Sequence, residues 1–467
     1  MKRSCYLFAI HFLFIGYIYA QAPKPDPVQK SIDSLVLPHF QPNEPGVSIL
    51  IARQGKIIYE KSFGSANIEL NVPLQPGMVF KIGSVTKQFT AIGILQLVEQ
   101  GKISLQDSIQ KYINDFPSKG HTITIENLLT HTSGIKDYND ADTTHNPYIE
   151  RQDFRPLQLI KSFNYWPLEF EPGTRYSYSN SGYVLLAYII EKVSGESYHA
   201  YMEKNVLKAA GLTNTFYAGE KKIVPQRVNG YTKDNGYYEN TEYQSISIAY
   251  GCGDLMSSVE DLYKWNIAIL SHQLVKKETL DKAFTPFRLK NGSYTGYGYG
   301  WFIDSLPGTK CIHHEGQISG FIAVEKYFLA EDIYLAILTN LRSGEDKTNF
   351  SNERFRLFET ISLIALGKEI IKEIAVNDAI LDSYIGTYEA TFTKNQTLII
   401  YKREGKLYAD LSNGTGRNML LQAQSETKFF LPDIKHITTS LEFINENGHP
   451  VKLIVTQDKK YEWRKIK

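Results

Sequence analysis

Four serines in this chain are followed three residues later by a lysine: Ser84–Lys87, Ser108–Lys111, Ser133–Lys136 and Ser425–Lys428. A hydroxyl is a weak nucleophile until something takes its proton, and an amine one helical turn away is one group able to do so. The first pair opens an apolar run at helical spacing through Ile92, Leu95 and Val98, with Gly83 just ahead of the serine. The spacing alone does not choose among the four.

A serine–lysine pair needs a second proton-handling group for the leaving group, and backbone amides to receive an oxyanion. Tyr178-Ser179-Asn180 offers a phenol that a neighbouring cation would push toward ionisation, and an amide to hold a carbonyl or position Lys87. Tyr112–Asn114 and Tyr238–Asn240 match the same pattern, so it too is unspecific by itself. His314-Glu315-Gly316 ends a strand pattern, adding a third polar group and a glycine that lets substrate approach the backbone. His313 points to the other face of a regular strand.

The elements that must carry these groups are legible in outline. Val47–Ala52 and Lys56–Phe63 flank Gln54-Gly55 as a hairpin. Helical patterns dominate from Ile103 to about Lys222. They include a clear helix after Asn180, in which Val184, Leu185, Ile189 and Val193 recur. Strands return at Tyr297–Phe302, Cys311–His314, Phe321–Phe328 and Ile333–Leu338, and Phe350–Leu366 reads as a covering helix. Strands from both ends with helices between predict an α+β domain over residues 31–367. Residues 368–378 read as a linker, and the short, evenly spaced strands of 379–467 as a small β-barrel.

At 467 residues, two domains are expected. Fifty-one Lys and Arg against fifty Asp and Glu provide no field for nucleic acid or an anionic membrane. Met1–Ala20 has Lys2 and Arg3, an apolar centre and a terminal small residue, which describes an export signal. An N-terminal anchor fits that length less well. Residues 21–30 read as an extended lead-in. The expectation is therefore a periplasmic or secreted protein without stable membrane insertion. Cys252 and Cys311 read as buried free thiols rather than a disulfide framework. No metal-ligand spacing and no Gly-x-Ser-x-Gly elbow occurs, so no metal or cofactor is expected.

The segments FKIGSVTKQFTA, NLLTHTSGI, PGTRYSYSNSGYVLLAYIIEKVSG, GCGDLMSSVEDLYKW and HHEGQISGF follow one another between about residues 40 and 345. This ordered set resembles the serine β-lactamase and penicillin-binding protein superfamily, specifically the class C-like hydrolases that include D-Ala-D-Ala carboxypeptidases and family VIII esterases. The resemblance implies an antiparallel sheet flanked by helices, an all-helical subdomain, and a lipocalin-like C-terminal barrel. It implies Ser84 as acylated nucleophile, Lys87 as its partner and Tyr178 as general base and acid. Asn180, His314 and Gly316 would form substrate contacts, and the backbone N–H groups of Ser84 and Gln317 the oxyanion hole. A small molecule or peptide is the implied substrate. True class C β-lactamases carry Lys-Thr-Gly where this chain has His-Glu-Gly, and histidine is largely neutral at pH 7. That departure favours peptidase or esterase chemistry over a β-lactamase. A catalytically silent peptidoglycan-binding module is the alternative of another class.

Overall fold

The computed structural model describes residues 27–140, 149–219, 222–234, 236–306, 309–342, 353–368, 370, 373–414, 416–431, 439–456 and 459–467. The export signal and residues 21–26 of the lead-in lie outside them. The rest of the lead-in, expected to be extended, is helical: it forms the start of α1 (Pro27–Val36). Proline suits the first helical position because its missing N–H has no partner there, and Ile32 and Val36 bury the inner face.

The hairpin of β1 (Val47–Arg53) and β2 (Lys56–Phe63) forms one edge of a six-stranded sheet. The other strands are β3 (Phe302–Leu306), β4 (Thr309–Ile318), β5 (Phe321–Phe328) and β6 (Ile333–Thr339), in the order β3-β4-β5-β6-β1-β2. All neighbours are antiparallel, and Val47 of β1 lies opposite Thr339 of β6, so the two ends of the domain close one sheet. The expected strand Tyr297–Phe302 begins only at its last residue. Gly300 sits at φ +93°, in a left-handed turn that cannot continue an extended strand.

Both sheet faces are covered, which explains why β1, β5 and β6 read as continuous apolar runs. Val47, Ile49 and Ile51 pack on one side with Ile322, Val324, Leu335 and Ile337, beneath α1 and α4 (Glu353–Ala365). Leu50, Ala323, Ala336 and Leu338 point into the larger core on the opposite side. That core surrounds α2 (Thr86–Glu99), in which every residue from Thr86 to Leu95 is buried. A helix enclosed on all sides carries apolar residues all round instead of an amphipathic stripe. α3 (Asn180–Ser194) packs directly against it.

Eight consecutive strands from Gly386–Ala390 to Lys460–Lys465 close into an antiparallel barrel, the first pairing with the last. α5 (Asp378–Tyr384) precedes it and contributes to its core. Tyr384 stacks on Phe443 at 3.9 Å, alongside Phe429, Leu453 and Trp463, so the barrel interior is packed with side chains. Ile374, within the expected linker, already donates to the Ala423 carbonyl of the barrel. Cys252 and Cys311 are buried and free. Among the described residues no helix is long and apolar enough to cross a membrane.

Candidate active site

Ser84 lies in a short 3-10 turn, Gly83–Val85, that runs into α2. Lys87 occupies the first turn of the α-helix and is 0% exposed. Its ammonium has three hydrogens and three acceptors: Ser84 Oγ at 3.0 Å, Asn180 Oδ1 at 2.7 Å and the Cys252 carbonyl at 2.8 Å. Burial lowers its pKa to about 8, against partial opposition from Cys252, Asp137 and Asp254. A buried amine sheds its proton more readily because the charged form is poorly solvated.

The geometry determines where the lone pair goes when it does. Neither Asn180 Oδ1 nor the Cys252 carbonyl can donate, so a neutral Lys87 spends its two remaining hydrogens on them. The lone pair is left facing the Ser84 hydroxyl, as a base requires. This arrangement depends on Asn180 presenting oxygen rather than nitrogen. Asp137 enforces that choice: its Oδ2 accepts both Asn180 N–H and Asn180 Nδ2–H, each at 2.8 Å. The second hydrogen of Nδ2 is available to a substrate carbonyl, and Asn180 lines the adjoining pocket.

Tyr178 brings its ring within 4.8 Å of Lys87 Nζ. Burial pushes the phenol well above its usual pKa, and a hydrogen bond with Ser84 only partly counters this. Burial opposes ionisation of the phenol while the hydrogen bond with Ser84 favours it, which sets Tyr178 to share and relay a proton with Ser84. His131 supports it, packing its ring against that of Tyr178 at 4.2 Å in a tilted contact and accepting the Ser179 N–H at 3.0 Å through Nδ1.

β4 brings the third segment alongside. A Cβ on Gly316 would lie 1.9 Å from the Ile82 carbonyl, and one on Gly83 2.9 Å from Gln317 N. Only two glycines facing each other let the Gln317 amide come this close to the Ser84 turn. The Ser84 and Gln317 backbones thus meet where an oxyanion would form. His314 is buried, 1% exposed, and both ring nitrogens are engaged within the protein. Nδ1 donates to the Glu315 carbonyl at 2.6 Å, so Nε2 is the acceptor for the Tyr297 hydroxyl at 3.1 Å. Burial and the Lys87 charge hold its pKa well below the usual histidine value. His314 thus braces the site from within, between Glu315 and Tyr297. His313 turns away toward Asp304, 2.8 Å distant.

The rival serines shape turns. Ser108 Oγ accepts Gln110 N–H, Ser133 Oγ accepts Ile135 N–H, and Ser425 Oγ accepts Lys428 N–H. Asp137, His131 and the Cys252 carbonyl were not singled out from the sequence. Asp137 and His131 flank the Thr132-Ser133-Gly134 segment, but nothing in their spacing points to Asn180 or Tyr178. Next to Ser84 opens a pocket of about 240 Å³ between Tyr138 and Asn139 on one side and Gln317 and Ile318 on another.

A serine facing a buried amine of near-neutral pKa, beside paired backbone amides, defines a serine hydrolase. The chain belongs to the β-lactamase family: the family model described as Beta-lactamase matches residues 32–357. It is 28% identical to penicillin-binding protein 4* of Bacillus subtilis over 419 residues, 85% of this chain and 89% of that one. Among solved structures, the octameric penicillin-binding protein homologue of Pyrococcus abyssi superposes with a TM-score of 0.61 at 27% identity. That match covers 90% of this chain and 96% of the other. A D-stereospecific amidohydrolase from Streptomyces sp. superposes with a TM-score of 0.58 at 25% identity, covering 68% and 95%.

Proposed function

We propose that this is an exported serine hydrolase that cleaves an amide or ester, in a D-amino-acid peptide or small ester, through an acyl-enzyme on Ser84. The observation that carries the proposal is the contact of Lys87 Nζ with Ser84 Oγ at 3.0 Å, from a buried amine whose pKa is about 8. Lys87 takes the Ser84 proton as Oγ bonds to the substrate carbonyl carbon. The resulting oxyanion forms against the N–H groups of Ser84 and Gln317. The Tyr178 hydroxyl passes a proton to the departing nitrogen or oxygen and recovers the one that Lys87 took from Ser84. Water then attacks the acyl group, the same groups acting in reverse.

Similarity to a D-stereospecific amidohydrolase supports substrates with D-configured residues. A neutral His314 in the third motif weighs against a dedicated β-lactamase, which uses a cation there. Ser84→Ala should abolish labelling by a fluorophosphonate or penicillin probe, and undiminished labelling would overturn the assignment. A panel of short esters, D-amino-acid peptides and nitrocefin separates the reactions. Prompt nitrocefin turnover would put the β-lactamase first. Binding of peptidoglycan stems without any turnover would favour the silent module. Export follows from Met1–Ala20 and is tested by fractionating cells that express the full chain; a cytoplasmic product with that segment uncleaved would count against it.

A further inference from the structure

Two consecutive residues of the short helix Tyr198–Met202 hold the segment from Gly251 to Asp254 against α2. The Tyr198 hydroxyl bonds to Thr90 Oγ1 at 2.6 Å, and the Thr90 hydroxyl donates in turn to the Gly251 carbonyl, also at 2.6 Å. His199 Nε2 meets Asp254 Oδ2 at 2.8 Å. Between these two anchors lies the Cys252 carbonyl that receives the Lys87 ammonium. The backbone around Asp254 is tied as well. Its carbonyl accepts the Ala218 N–H at 2.8 Å, and the Leu255 N–H donates to Thr86 Oγ1 at 3.2 Å.

The Asp254 side chain is 0% exposed and that of His199 31%. A carboxylate only accepts, so His199 Nε2–H is the donor. The other carboxylate oxygen, Oδ1, is buried with no hydrogen-bond partner among the described residues. A carboxylate so enclosed is costly unless a cation compensates it. Lys87 is that cation: the charges of Asp254 and Asp137 both favour its protonated form. Charges buried together are screened little by solvent. The other titratable groups around Lys87 are Tyr178, Tyr183, His131, His314 and the Cys252 thiol. Around Asp254 they are Tyr198, Tyr250 and the same thiol. Burial raises the Tyr183, Tyr198 and Tyr250 phenols and pushes the thiol up to about 11, which leaves Asp137 and Asp254 as the carboxylates acting on the base.

Resting on the hydrolase reading above, we infer that Asp254, held by His199, is a positioning residue for the catalytic base, stabilising the ammonium that Lys87 becomes when it takes the Ser84 proton. In that step the Ser84 O–H bond breaks and an N–H bond forms on Lys87, so positive charge develops on the amine as Oγ attacks. A negative charge already in place beside it lowers the barrier without having to reorganise. Asp137 acts through Asn180, whereas Asp254 acts from the segment that aims the Cys252 carbonyl. His199 acts through Asp254, as the donor that the buried carboxylate would otherwise lack.

The test is the pH dependence of the rate constant for fluorophosphonate labelling at Ser84, which does not depend on how much of a variant is folded. Asp254→Asn should move the acid limb to lower pH by about half a unit to one unit. Its plateau should fall severalfold, as for a weaker base. His199→Phe keeps a ring against Tyr217, 3.7 Å away, but removes the donor. A buried carboxylate without a donor takes up a proton, so this limb should move the same way. His199→Gln still carries an N–H and should keep most of the wild-type profile. The double variant Asp254→Asn/His199→Phe should match Asp254→Asn alone, because the two residues act as a unit. A limb unmoved in either single variant overturns the inference, whatever happens to the rate, and so do shifts that add in the double variant. Should Asp254→Asn yield no folded protein, the limb of His199→Phe, a change at a partly exposed residue, decides alone. Labelling that persists in Ser84→Ala overturns the hydrolase reading beneath it.

Discussion

Asp137 grips Asn180 at two points, its Oδ2 accepting the backbone N–H and the side-chain Nδ2–H at 2.8 Å each. The consequence is felt at neither residue but at Lys87, whose hydrogen bond to Asn180 Oδ1 exists only while the amide is held in that orientation. Asp137 is thus a positioning residue for the base, and it also raises the Lys87 pKa by its charge.

Asp137→Ala should therefore do two things at once. With the amide free to rotate, kcat/KM should fall by about ten- to a hundredfold, mostly in kcat, as expected when a catalytic group is misplaced. With the carboxylate gone, the acid limb of the rate profile should move to lower pH, because a nearby negative charge no longer favours protonated Lys87. A purely structural defect would lower the rate without moving the limb.

Lys87 itself sets that limb. Its pKa is lowered, to about 8, and its neutral form is the active one. Activity is therefore lost as pH falls through 8 and recovered above it. Plotted as log kcat/KM, the slope should approach one per pH unit between roughly 6 and 7.5, levelling above 8.5. A profile flat from pH 6 to 8 would exclude Lys87 as the titrating base.

Gly316→Ala adds a methyl where the Ile82 carbonyl stands 1.9 Å away. β4 must retreat from the Ser84 turn, taking the Gln317 amide with it. The loss of an oxyanion donor is worth about a hundred- to a thousandfold in kcat. Acylation rates measured by stopped flow should show it, while binding of an unreactive ligand changes little.

His131→Phe preserves a ring against Tyr178 but removes the acceptor of the buried Ser179 N–H. An unpaired buried donor costs about 1–3 kcal/mol. Chemical denaturation should report that loss, and Tyr178 should hold its place well enough for part of the activity to remain. An unchanged denaturation midpoint would show that Ser179 finds another partner.

Much of the frame was legible beforehand because it rests on local rules. The hairpin around Gly55, the meander of β4, β5 and β6, the two central helices and the evenly spaced barrel strands all follow from side-chain period and turn residues. Failures came where a local rule was overruled. Residues before Phe302 read as strand by their aromatic content, yet Gly300 turns the chain. Helix α1 reaches back into the lead-in because proline, a breaker elsewhere, is at home in a first turn.

At the site, the order of the motifs is written along the chain. The chain places Ser84 and Lys87 one turn apart and sets glycines at 83 and 316. Tertiary structure alone decided what those residues can do. It buried Lys87, and so lowered its pKa to about 8; the same burial raises that of Tyr178. The second acceptor on Lys87 is a backbone carbonyl, Cys252, and the third depends on Asp137 holding Asn180 in one orientation. His314 was enclosed. Solvent exclusion, the aim of a carbonyl and the orientation of an amide belong to contacts between segments distant in the chain, and no residue type at any spacing encodes them.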